Sequence, residues 1–209
     1  MSEQRRARLR LEISREAARL FWEQGVAATS GDQIARAMDL STRTIWRHFR
    51  TKESCAEPIV MQGVVTLLSV LRDWPRQSSI EDHLTAELSR LRHEAPPVGL
   101  ADEMLAMKMI RLADTEPALR TAWLMACDQT EREMRAIVGD RLGRETDDLE
   151  VRRHAAAAAA VVRVLDEHIG AAVLAGEDLT EFQDVKALSR RFAHAIRTAT
   201  GGAVGDPVD

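Results

Sequence analysis

Residues 149 to 174 read LEVRRHAAAAAAVVRVLDEHIGAAVL, a stretch without proline and with six consecutive alanines, which favours helix over strand. It is apolar nearly all the way round. Ala158, Val162, Leu165, Ile169 and Ala172 form one stripe at helical spacing, and Ala157, Val161, Val164 and Ala171 form another. A helix with two apolar faces must bury both, one against its own core and the other against a further surface. That requirement directs the chain toward helix-on-helix packing, and the composition agrees. Tyr is absent and aromatics make up 4% of the residues, which leaves little material for strands. At 209 residues and 45% hydrophobic content the chain can bury a sizeable core. The expected fold class is all-α, with about nine helices.

Apolar periodicity and its breaks place those helices at about 8–24, 31–38, 42–49, 52–73, 80–93, 100–113, 117–142, 149–174 and 181–198. Gly25 stops the first, and Thr29 and Ser30 lead into the second. "WP" at 74–75 and "APP" at 95–97 close the fourth and fifth, and "GRETDD" separates the seventh from the eighth. Pro58 is placed to kink the fourth. The closing GGAVGDPVD has no periodicity and is expected to lack fixed structure.

Charge separates the ends of the chain. The total is −4, yet residues 1 to 52 hold 11 Lys and Arg against 6 Asp and Glu, so the remainder is strongly acidic. A basic head on an acidic body suits a polyanion that meets the head alone. Within that head two short helices are joined by "MDLS", a helix-turn-helix arrangement. Ser41 is suited to cap the second of them. A helix entering the major groove must present polar and cationic groups while its other face holds it on a small core. Thr42, Arg43, Thr44, Arg47 and His48 are expected to face outward, with Leu40, Ile45 and Phe49 packing inward near Ile34, Ala35 and Phe21.

Residues 13 to 53 resemble the DNA-binding domain of the TetR family of transcriptional regulators. Ile13, Ala17, Ala18, Leu20, Phe21, Gly25, Thr29, Ile34, Ala35, Ser41, Thr44, His48, Phe49, Lys52 and Glu53 all stand where that family places such residues. The resemblance implies a regulator of transcription in the cytoplasm, with a double-stranded DNA operator, a homodimeric partner and a small-molecule effector. It implies a DNA-binding head at 1–52, an effector-binding and dimerisation body at 53–199, and the tail at 200–209. Ser30, Ser41, Thr42, Arg43, Thr44, Trp46, Arg47, His48 and Lys52 become the candidate DNA contacts. Four positions depart from the pattern: Arg43 where Gly is common, Trp46 where Tyr is common, Asp39 at a turn position often held by Gly, and Gly31 where an apolar side chain is usual. Arg43 can pair with guanine or clamp a phosphate. Trp46 can lie on the DNA backbone or fill space between helices. Lys52 is expected to bind phosphate at the start of the fourth helix.

In the body, one of the two apolar stripes of the eighth helix is expected to meet the domain core and the other a second subunit, with matching residues of the ninth helix. The candidate interface is Val162, Leu165, Ile169, Phe182, Val185, Phe192 and Ile196. Methionines of MLAMKMIRL and the seventh helix suit an apolar ligand wall, giving Met104, Met107, Arg111, Trp123, Cys127, Arg163 and His168 as pocket candidates. His168, alone on an apolar face of the eighth helix, reads as a core histidine before it reads as an effector contact. RLADTEPALRTAWLMACDQTEREMRAIVGDRLG also resembles the body of TetR regulators that respond to acyl-CoA-like ligands.

Enzymatic readings find little support. GxGxxG, GxxxxGK, GxSxG and HExxH are absent, and no histidine has Glu or Asp three residues before it. Cys55 and Cys127 show no metal or redox spacing, so no cofactor or metal is expected. The longest uncharged apolar run, Ala155 to Val162, is too short to span a bilayer, and no membrane partner is expected. The alternatives are a helical adaptor or helical enzyme whose helix-turn-helix-like head binds no specific DNA.

Overall fold

The computed structural model describes residues 2–94, 97–176 and 184–208, and among them all regular structure is helical. The helices are α1 (Glu3–Gln24), α2 (Gly31–Ala37), α3 (Thr42–His48), α4 (Glu57–Arg72), α5 (Ile80–Glu94), α6 (Pro97–Leu112), α7 (Pro117–Leu142), α8 (Leu149–Ala175) and α9 (Val185–Ala199). A 3-10 turn, Glu53–Ala56, precedes α4. Several ends differ from the periodicity for local reasons. Helix α1 begins earlier than its apolar stripe because Ser2 accepts from the Arg5 amide and the Arg8–Glu12 pair supports the exposed first turns. Pro58 kinks nothing: it is the second residue of α4, in the first turn, where a missing N–H leaves no bond unmade. Helix α9 starts at Val185, capped by Asp184; the part of the ninth helix expected at 181–183 lies outside the described residues.

The chain forms two compact units, Met1–Gly63 with Pro97–Ala126, and Val64–Pro96 with Cys127–Asp209. The expected junction at 52–53 falls inside the first unit. In that unit α1 packs on α2, on the 3-10 turn and on α6, burying Ile13, Ala17, Ala18 and Phe21. Buried Ser14 accepts the Ile59 amide through Oγ at 3.0 Å, satisfying a first-turn donor of α4. Arg15 donates through Nε and Nη2 to both carboxylate oxygens of Asp102, at 2.7 Å each, tying α1 to α6. Nearby Lys108 lies 5.1 Å from the Trp22 ring centre.

In the second unit α9 packs on α5 and α8, and Ile80, Leu84, Val151, Ala155, Ala158, Val162, Phe192 and Ile196 are buried. The segment Glu53–Arg72 is long and apolar enough, by length and composition alone, to cross a membrane. Its Cys55, Ile59, Val60, Val64, Leu68 and Leu71 are instead buried in the protein.

The expectation of a structureless tail is corrected by the structure. Gly205 O accepts from the Ile80 amide at 2.9 Å, and the Val208 amide donates to Arg76 O at 2.8 Å. Val204 is buried. Arg141, itself buried, stacks 3.4 Å from the Trp74 ring centre and donates to the carbonyls of Pro75, Arg76, Ser78 and Asp206. Gly205 must be glycine, since its φ is 132° and a Cβ would stand 2.6 Å from Arg197 Cγ. Composition predicts disorder here because it registers few apolar groups; the segment is held by backbone and guanidinium hydrogen bonds instead. Removing residues 203–209 is expected to cost about 2–4 kcal/mol, by exposing the Val204 seat and stranding the Ile80 amide and Arg141 donors. Urea unfolding followed by Trp fluorescence measures this, and an unchanged midpoint would show that the tail adds no stability.

Candidate nucleic-acid interface

Helix α2 is closed at its start by a reciprocal cap. Ser30 Oγ accepts from the Gln33 amide at 3.2 Å, and Gln33 Oε1 accepts from the Ser30 amide at 2.7 Å. The chain turns at Asp39, whose φ of 52° is the one positive value among the described non-glycine residues. Short polar side chains tolerate that conformation, which explains how Asp serves where Gly is common. Ser41 then caps α3 by accepting from the Thr44 amide at 3.2 Å.

Helix α3 presents three faces. Ile45 and the C-cap Phe49 point inward and are buried. Thr42 and Trp46, four residues apart, lie along α2: Thr42 Oγ1 donates to Asp32 Oδ1 at 2.6 Å, and the indole lies over Gly31. Arg43 and Arg47, also four apart, are exposed, and exposed Arg50 follows them. Thr44 is half-buried with its Oγ1 2.8 Å from Ser41 Oγ.

Two expected phosphate contacts have other roles. Lys52 does not start a helix with a free ammonium; Nζ donates to Val26 O at 2.6 Å and Thr29 O at 2.8 Å, with Ala27 O at 3.4 Å. It closes the α1–α2 loop onto the segment after α3. His48 is buried, not outward, and among the described residues neither ring nitrogen has a hydrogen-bond partner. Its pKa is held below the ordinary value by burial, with the positive charges of Arg47, Arg6 and Arg10 acting in the same direction. The guanidinium of Arg10 stands 5.0 Å from the Phe49 ring centre. Helix α1 therefore brings cations to the end of α3, which periodicity of α1 alone could not indicate.

Residues 13–59 match the bacterial regulatory proteins of the tetR family, and residues 93–187 match the MftR C-terminal domain. The HTH-type transcriptional regulator TcmR of Streptomyces glaucescens is 31% identical over 145 residues. The chain belongs to the TetR family. The TcmR alignment takes in 68% of this chain and 63% of TcmR, less than two thirds of that relative. Among solved structures, Salmonella enterica GusR superposes with a TM-score of 0.59 at 20% identity, covering 98% of both chains. Thermus thermophilus FadR, a TetR family repressor solved in complex with lauroyl-CoA, gives 0.56 at 18% identity over 92% of this chain and 94% of that one. These two show the shared fold.

In this TetR-family chain the candidate ligand residues are divided between the two units: Met104, Met107, Arg111 and Trp123 belong to the first, and Cys127, Arg163 and His168 to the second. Trp123 is buried, Met107 and Cys127 are half-buried, and Met104 is exposed. The methionines do not form one wall, since Met109 is fully buried and Met125 is 63% exposed. Arg111 is exposed and paired with Asp114, and Arg163 donates to Glu167 one turn on at 3.2 Å. His168 is exposed, which corrects its reading as a core histidine. Periodicity missed Asp166, which shares a stripe of α8 with buried Val162 and Gly170; burial, and then the charge of Glu167, push its carboxyl up to about 7.

Of the dimer candidates, Val162, Phe192 and Ile196 are buried within the chain itself and offer no free surface. Leu165, Ile169 and Val185 are half-buried, and Phe182 lies outside the described residues. Apolar surface is left open on α8 along the other stripe, with Val164 54% exposed and Ala157 and Val161 half-buried, and at Leu149 in its first turn.

Replacing Lys52 by Met should lower stability by about 1–3 kcal/mol, because loop carbonyls lose a charged donor. The salt dependence of any DNA binding should stay as it was; a shallower salt slope would return Lys52 to the phosphate contacts. A buried histidine whose pKa is depressed on folding gives stability that is full above its unfolded value, near 6.5, and lost as pH falls below it. Stability should therefore fall as the pH drops below about 6.5. His48→Phe should remove part of that fall, as read by thermal melts across the range.

Proposed function

We propose that the chain is a ligand-responsive transcriptional repressor that binds a pseudo-palindromic operator as a homodimer. The observation that carries the reading is the division of α3: one stripe is hydrogen-bonded and packed to α2, which leaves Arg43 and Arg47 as an outward pair on a fixed helix. A seven-residue helix held in this way, with two long bidentate donors on its open side, is suited to the edges of bases in a major groove. Arg50, Arg6 and Arg10 add positive charge around its far end, suited to the flanking phosphates. A two-fold dimer would present two such helices to successive grooves. The open stripe of α8, Ala157, Val161 and Val164, is the surface we assign to that dimer.

For the effector we infer an acyl or similarly lipophilic molecule. The likeness of fold to a regulator solved with lauroyl-CoA supports this. Release follows if the effector prefers a conformation in which the two recognition helices no longer match their grooves. A preference of about 100-fold is worth roughly 2.7 kcal/mol, enough to empty a moderately saturated operator.

Selection of bound sequences from random duplex DNA should return a palindrome, and acyl-CoAs titrated against the complex should release it. Arg43→Ala should cost about 1–3 kcal/mol and relax preference at one base position; a uniform loss on all sequences would assign it to phosphate. Absence of any binding above the nonspecific level would favour an adaptor. Val164→Asp should yield folded monomers in sedimentation, because a charge placed in an apolar interface costs several kcal/mol. Val162→Asp should instead unfold the chain. A Val164→Asp protein that remains dimeric would move the interface elsewhere.

A further inference from the structure

The departures at Gly31 and Trp46 occupy one place in the fold. A Cβ built on Gly31 would stand 2.1 Å from Trp46 Cζ2 and 2.6 Å from its Cη2, so the benzo edge of the indole fills the volume that any other residue at 31 would need. Gly31 is buried, while Trp46 keeps 43% of its surface open. One turn earlier, Thr42 reaches the neighbouring residue of α2, Asp32, at 2.6 Å. Thr42 and Trp46 thus grip Asp32 and Gly31 in register. Arg43 and Arg47 each follow a gripping residue by one position, so the seating of the indole sets the rotation at which they are presented.

We propose that Gly31 is a positioning residue for DNA recognition: its missing Cβ makes the seat that fixes the Trp46 indole, and with it the exposed face of α3. The proposal rests on the DNA-binding reading above. Gly31 opens α2 immediately after its cap, so its φ is helical and glycine is not required by the backbone. Only the indole requires it. The atoms a new Cβ would meet are the far end of a side chain whose surface is partly open, so Trp46 can swing outward without disturbing the core around Ile45. Ala also favours helix over Gly, which offsets the lost packing. Gly31→Ala is therefore expected to leave the melting temperature nearly unchanged and to act on recognition. Trp46→Phe removes the benzo edge and with it the conflict, so the two positions should be coupled.

The test is a double-mutant cycle of Gly31→Ala and Trp46→Phe in the full chain, titrated on the selected operator and on a scrambled duplex. Gly31→Ala should weaken operator binding about tenfold and leave scrambled binding unchanged. In the Trp46→Phe background the same change should have no further effect. Equal losses in both backgrounds, or no loss in either, would overturn the proposal. A second measurement does not depend on DNA: with 5-fluorotryptophan incorporated, Gly31→Ala should move the Trp46 resonance of the free protein and leave those of Trp74 and Trp123 in place. A Trp46 resonance that does not move overturns the seat even if DNA is bound. Should the wild type bind no operator while that resonance moves, the DNA-binding reading fails and the seat stands as packing alone, which overturns its role in recognition.

Discussion

A two-turn helix cannot hold itself together in water, and α3 has only seven residues. Everything that gives it a fixed orientation must come from outside. Burial of Ile45 and Phe49 supplies the attraction, but two apolar contacts leave rotation about the helix axis poorly defined. The polar and steric contacts remove that freedom: Ser41 closes the first turn, Thr42 bonds Asp32, and Trp46 fills the space over Gly31. Lys52 then joins the segment after α3 to three carbonyls of the α1–α2 loop. A guanidinium at the surface of such a helix has a defined position because none of its neighbours on the buried side can turn.

The same economy explains His48. A buried imidazole without a partner would be costly if charged, and the cations of Arg47, Arg6 and Arg10 oppose its protonation as burial does. Kept neutral, it behaves as an aromatic filler beside Phe49. The positive charge of the head is carried by arginines, whose guanidinium remains ionised while its stem packs on apolar surface; Arg10 over Phe49 is the clearest instance.

The helix-turn-helix was legible in the sequence because its signals are local: caps at Ser30 and Ser41, a turn residue at Asp39 and an apolar pair at Ile45 and Phe49 are all read within a few positions. Helix α7 was legible to the residue for the same reason, with Pro117 at its start and a glycine after Leu142. Side-chain direction was less legible. His48 and Lys52 lie where a periodic reading permits exposure, and only the arrival of α1 and of the α1–α2 loop turns them inward. On α8 the sequence shows two apolar stripes but cannot say which meets the chain's own core. The fold assigns that role to the stripe of Val162, leaving Val164 open. The seating of Trp46 over Gly31 lay beyond reach because it joins two helices at a distance set by neither.

The division into units bears on how a bound molecule could influence the head. The match to the MftR C-terminal domain, residues 93–187, begins before α6, yet α6 and the first part of α7 belong to the same compact unit as the helix-turn-helix. Within that unit the bond between α1 and α6 is the strong bidentate kind, Arg15 to Asp102, with the carboxylate almost wholly removed from water. Stretching such a pair would leave a buried charge poorly compensated, which costs several kcal/mol. The free energy available from a differential ligand preference is usually smaller, about 1–3 kcal/mol. A displacement of α6 is therefore passed to α1 more readily than it is absorbed at their contact.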